Sequence, residues 1–189
     1  DTRLRDIVAP LAGPDLKQII NQMHWKPAGA AKVEFGYHQD SRFRRPPEAY
    51  RDLANSYVQT GIAVDPHRVE NGAMTVYPGS HRLGEVSFEE RGRVMDNSMS
   101  ANDLARLGLD PARVVDLEFD PGDVAYWHVH TIHGSGPNIS DGDRRLYING
   151  YVTAANCDRG EWAFRGGEPV PLGAEPALVH FEQLRERPR

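Results

Sequence analysis

The chain has 189 residues, a single cysteine and a formal net charge of −5, which excludes an internal disulfide and the basic stripe expected of a nucleic-acid binder. No apolar run approaches the roughly 20 residues of a transmembrane helix, so a membrane is not expected as a partner either. The length suits one domain, residues 1–189, with a sizeable core. Because it opens at Asp1 and not at a methionine, some N-terminal sequence is expected to be missing. The lone Cys157 is read first as an incidental thiol, and it also fits a reducing, cytoplasmic setting.

In chain order, Thr2 to Gly13 mixes polar and apolar residues and carries no recognisable chemistry. Asp15 to Met23 is predicted as a short helix with Asp15 as its N-cap, and Pro27 discourages continuation. Ala31 to His38 alternates as a strand, with Val33, Phe35 and Tyr37 on one face. Arg42, Arg44 and Arg45 then form a basic loop before Pro46-Pro47. Tyr50 to Ala54 reads as a helical turn and Tyr57 to Val64 as a buried strand. Asp65 to Gly72 is rich in turn residues. Ala73 to Tyr77 is a short strand closed by the Pro78-Gly-Ser turn, which makes His81 a loop residue and not a metal ligand.

Ser98 to Leu107 is predicted helical, capped by Ser100 or Asn102. Arg113 to Phe119 alternates, with Val115, Leu117 and Phe119 apolar. Pro121-Gly-Asp turns into a strand over Val124 to Val129. A loop from Ile139 to Asp143 leads into a further strand, Arg144 to Val152. The remainder, Asn156 to Arg189, carries Gly and Pro at short intervals and ends in a charged tail. No repeat, low-complexity run or internal linker marks a second domain. Many short strands with Gly- and Pro-rich turns and little helix argue a mainly β jelly roll or barrel.

The chemistry centres on His38-Gln-Asp40. Alternate residues on a strand point the same way, so His38 and Asp40 can bind one metal ion from one face, and one further histidine completes the set. Two histidines and a carboxylate, with the opposite positions open, form the facial triad of non-haem Fe(II) oxygenases. An His-x-Asp pair alone is weak, because such pairs arise by chance. Two rivals stand beside it. One is a zinc site of His128, His130 and His133 serving a hydrolase or lyase, since three histidines with an open position can generate hydroxide. The other is a catalytically silent small-molecule-binding barrel.

Four motifs in order separate these readings. Tyr37-His-Gln-Asp40, Glu70-Asn-Gly-Ala-Met-Thr-Val-Tyr-Pro-Gly-Ser-His81, Thr131-Ile-His-Gly-Ser-Gly-Pro-Asn138 and Arg144, eleven positions after His133, together resemble the phytanoyl-CoA dioxygenase-like family, which includes ectoine hydroxylase. The resemblance runs from about Lys26 to Val152. It implies a double-stranded β-helix, cupin-like, with flanking helices on one sheet. It implies Fe(II) held by His38, Asp40 and His133, and 2-oxoglutarate chelating that iron with its far carboxylate on Arg144 and Ser135. It further implies O2 as the oxidant, with ascorbate as reductant in assays.

Arg145 is the rival anchor, because adjacent strand residues face opposite ways and only one can point inward. Gln22, His24 and Lys26 lie near where related enzymes line the cosubstrate pocket, and no role is carried over to them. Asp40 stands where related halogenases have a small residue, which favours hydroxylation of an unactivated C–H bond over halogenation. The expected partner is a small molecule, a natural product among the options, and the oligomeric state is left open. The zinc reading leaves His38-Gln-Asp40 and Arg144 without a purpose, and the intact ligand set counts against a silent barrel.

Overall fold

The structure, a computed structural model, describes residues 1–88 and 98–171. Among the described residues ten strands fall into two antiparallel sheets. In chain order they are β1 (Leu16–Lys26), β2 (Phe35–His38), β3 (Tyr57–Ala63), β4 (Met74–Val76), β5 (Val115–Leu117), β6 (Val124–His128), β7 (His133–Ser135), β8 (Arg144–Thr153), β9 (Glu161–Arg165) and β10 (Glu168–Pro169). The larger sheet has the order β10-β9-β1-β8-β3-β6 and the smaller β2-β7-β4-β5. The chain crosses between the layers at nearly every step from β1 to β8, which is the winding of a double-stranded β-helix.

β8 and its neighbour β3 are interior strands of the larger sheet and are buried along most of their length. Their Val, Ile, Tyr and Thr residues suit a pleated surface packed on both faces. Between the layers, Met74, Trp127, Leu146 and Ile148 form one apolar cluster, each large side chain contributing roughly 1.5–3 kcal/mol by leaving water. On the outer face, α1 (Thr2–Ala12) seats Val8 and Ala12 against Leu16, Val58, Tyr151 and Phe164. α2 (Leu53–Ser56) leads directly into β3. α3 (Ala101–Arg106) starts at Ser100, which caps it with Asp103 in a reciprocal box. Leu104 of α3 packs with Tyr77, Met99 and Ile132 under the smaller sheet.

Two predicted elements are corrected. The segment from Asp15 to Met23 is no helix but most of β1, laddered to β8 on one side and β9 on the other. Asp15 caps nothing; its carboxylate accepts from the Gly166 backbone N–H at 2.7 Å. The strand expected from Ala31 begins only at Phe35, and Val33 lies outside it, exposed. The opening segment without recognisable chemistry is α1, capped by the Asp1 side chain. The charged tail lies outside the described residues. Among the described residues no helix is long and apolar enough to cross a membrane.

Candidate active site

The smaller sheet brings the first and third motifs to one point. β2 and β7 pair antiparallel, with His38 and His133 as direct partners. Gly134 makes that approach possible, because a Cβ there would stand 2.7 Å from the Phe35 carbonyl oxygen. His38 and Asp40 do not share one strand as expected: β2 ends at His38 and Asp40 opens a short 3-10 helix, Asp40–Phe43. That turn still delivers the carboxylate to the same place. Ligand atoms of His38, Asp40 and His133 all lie within 4.8 Å of one another. Asp40 Oδ1 is 3.9 Å from His38 Nε2, and Asp40 Oδ2 is 3.9 Å from His133 Nε2.

Both imidazoles are held in the same tautomer. Nδ1 of His38 lies 2.8 Å from the Gly36 carbonyl and Nδ1 of His133 lies 2.9 Å from the Thr131 carbonyl. A carbonyl only accepts, so each Nδ1 carries its proton and each Nε2 turns a lone pair toward the cluster. Burial, reinforced by His133, pushes His38 down to about 4, so it stays neutral at physiological pH. Burial raises Asp40, but His133, His38, Arg44 and the Trp127 indole outweigh it and hold the carboxyl below its usual range. A neutral His38 and an ionised Asp40 are donor states that a divalent ion requires. Two imidazoles with one carboxylate oxygen also suit Fe(II).

Arg144 and Arg145 open β8 and face opposite ways. Arg145 points outward, pairing bidentately with Asp65 at 2.8 and 2.7 Å. Arg144 points between the sheets and is 2 % exposed. One amino group donates to the Gly72 carbonyl at 2.9 Å, and its buried Nε has no partner. Directly across the ladder from Arg144 stands Lys26 on β1, also buried. Its Nζ donates to Ser135 Oγ at 2.8 Å and to the Ser135 and Gly136 carbonyls. Burial, then Arg144, lowers Lys26 to about 7, and burial brings Arg144 down to about 10. Among the described residues, neither cation has a carboxylate within salt-bridge reach. Gln22 and His24 share the Lys26 face of β1, pairing with Ile148 and Leu146. His24 stacks on Phe35 and is lowered by burial first and by Arg144 second.

The rival zinc cluster does not form. His128 donates from Nε2 to the Ala54 carbonyl at 2.7 Å and accepts at Nδ1 from the His130 N–H at 3.0 Å, so neither nitrogen is open to a metal. His130 packs its ring against His128. His81 also packs its ring, tilted, against His128 and is not part of the triad. Among the described residues, His38, Asp40 and His133 are the one group with metal-binding spacing. Sequence reasoning passed over Trp127, whose indole donates to Asp40 Oδ2 at 2.9 Å, and gave Lys26 no role.

Two jelly-roll layers closed over a two-histidine, one-carboxylate cluster define a double-stranded β-helix protein with a non-haem metal-site pattern. Residues 2–146 match the family described as phytanoyl-CoA dioxygenase (PhyH), and the chain belongs to that family. It is 30% identical over 156 residues to a protein of Stutzerimonas stutzeri named "Probable alpha-ketoglutarate-dependent hypophosphite dioxygenase", covering 80% of this chain and 50% of that one. The chain spans about half the length of the curated relatives it matches.

Among solved structures it resembles the non-haem monooxygenase ThoJ, with a TM-score of 0.69 and 23% identity over 96% of this chain and 66% of that one. It also resembles EvdO2 from Micromonospora carbonacea var. aurantiaca complexed with 2-oxoglutarate, with a TM-score of 0.59 and 27% identity over 84% of this chain and 62% of that one.

Proposed function

We propose that this chain carries the catalytic barrel of an Fe(II)- and 2-oxoglutarate-dependent dioxygenase that hydroxylates an unactivated C–H bond of a small molecule, a natural product being the favoured class. One observation carries the reading. Beside a His/Asp/His donor set lie two buried cations that pair across the β1–β8 ladder, Arg144 and Lys26, the latter linked through Ser135 to the strand of His133, and neither has a described carboxylate partner. Uncompensated buried charge is costly, and an anionic ligand reaching from the metal site relieves it. A dicarboxylate with an oxo-acid end fits that demand.

In this reading the Nε2 atoms of His38 and His133 and the Asp40 carboxylate hold Fe(II). Arg144, with a free Nε in its planar fork, takes the distal carboxylate of 2-oxoglutarate together with the Ser135 hydroxyl. Iron, 2-oxoglutarate and O2 together supply the oxidising chemistry, in which one oxygen atom enters the substrate and the other leaves in succinate, with release of CO2. The protein contributes position and a fixed imidazole tautomer. The buried, single thiol of Cys157 supports a cytoplasmic setting, and residues 1–189 are read as one oxygenase domain.

Incubation with Fe(II), 2-oxoglutarate and ascorbate in air tests this. The protein is expected to release succinate above the protein-free background, accelerated by a true substrate. Asp40→Ala, or Zn(II) in place of Fe(II), should not, because zinc has no redox chemistry. Arg144→Ala is expected to weaken 2-oxoglutarate binding about 10- to 150-fold, the equivalent of roughly 1.5–3 kcal/mol for hydrogen bonds to a charged group. Arg145→Ala should leave it nearly unchanged. Iron-independent activity, or no binding of 2-oxoglutarate at millimolar concentration, would overturn the assignment.

A further inference from the structure

We infer that Trp127 is a positioning residue for the metal carboxylate, its indole N–H committing Asp40 Oδ2 so that Oδ1 alone is presented to the ion. The inference rests on the reading of this cluster as an iron centre. The three donors belong to the smaller sheet and the turn after β2, whereas Trp127 reaches them from β6 in the larger sheet. It is 7 % exposed, its Nε1 lies 2.9 Å from Asp40 Oδ2, and its ring packs 5.5 Å from that of His133. Among the described residues no other side chain or backbone group donates to the Asp40 carboxylate.

The choice of an indole matters chemically. It is a donor only, so it cannot compete for the metal or take the proton of a ligand. A hydrogen bond to an ionised carboxylate is short and strong, and it fixes the plane of the group as well as one of its oxygens. A carboxylate free at both oxygens can chelate an ion through the pair, occupying an extra coordination position. With Oδ2 engaged, Asp40 takes one position and the two imidazoles take two. The remaining positions stay open for the oxo acid and O2.

Trp127 also borders a groove of about 590 Å³ lined by Leu11, Val58, Met74, Val76 and Tyr126. Trp127→Phe keeps a ring there and removes only the N–H. Co(II) alone is the probe, followed by calorimetric titration and by the visible ligand-field spectrum of the loaded protein, with the melting temperature of the metal-free protein measured alongside. The variant is expected to bind Co(II) about 10- to 100-fold more weakly, as for other partners of metal ligands, and to show shifted ligand-field bands. Undiminished affinity with unchanged bands would overturn the inference, and so would a lowered melting temperature as the sole effect. Wild-type protein that fails to bind Co(II) would remove the metal reading itself and this inference with it.

Discussion

Lys26 shows how much chemistry one buried side chain can hold. Its ammonium is a donor only, so the bond to Ser135 Oγ uses the serine as an acceptor and leaves the hydroxyl proton to point elsewhere. With Arg144 across the ladder, Lys26 and Ser135 make a site built of donors, complementary to a carboxylate. The same burial has a thermodynamic sign. Lys26 drops from 10.5 to about 7 on folding, so between those values the unfolded chain binds the extra proton and stability rises with pH. Denaturant unfolding of the metal-free protein at pH 7 and pH 9 should show this rise, at most about 1.4 kcal/mol per pH unit. Lys26→Met should flatten it, and a slope that survives in the variant would assign the effect to another group. A bound dicarboxylate favours the charged ammonium, so 2-oxoglutarate binding at pH 8 should take up a proton. Calorimetry in two buffers of different ionisation heat measures that uptake.

At the scale of elements, the β2–β7 contact is the tightest constraint on the cluster. Gly134→Ala places a methyl against the Phe35 carbonyl, and backbone cannot yield as a flexible side chain would. Overpacking of this kind costs about 1–3 kcal/mol. It should also part His38 from His133, so Fe(II) affinity is expected to fall together with stability. A Gly134→Ala protein that binds iron as the parent does would show that the strands have room to spare. The metal pattern was legible in the sequence because it sits in two short motifs whose residues converge through one strand pair. β1 was misread for a physical reason. Its register shifts between Gln18 and Ile20, which breaks the period of two and leaves Leu16, Ile19, Ile20 and Met23 at helical spacing. The pairing that decides for strand comes from β8 and β9, more than a hundred residues away. Trp127 and Lys26 were hidden similarly, since their partners Asp40 and Ser135 lie 87 and 109 positions distant.

For the molecule as a whole, the division of labour between the layers has a consequence of its own. His38, Asp40 and His133 belong to the smaller sheet and its adjoining turn, whereas Arg144 and Lys26 belong to the larger. A metal-chelated dicarboxylate would therefore be gripped by one layer at its head and by the other at its tail. It would act as a removable rivet through the sandwich. A ligand at a hundred times its dissociation constant stabilises by about 2.7 kcal/mol, which for a chain of this size is roughly 5–11 °C of melting temperature. Mn(II) with 2-oxoglutarate should give that rise, and Arg144→Ala should abolish the part due to the oxo acid. Succinate, which keeps the tail but lacks the chelating head, should fasten the layers less well. Each completed turnover would then loosen the fastening that held the sandwich during the reaction, so the barrel is most tightly closed when it is loaded and slackest when its product must leave.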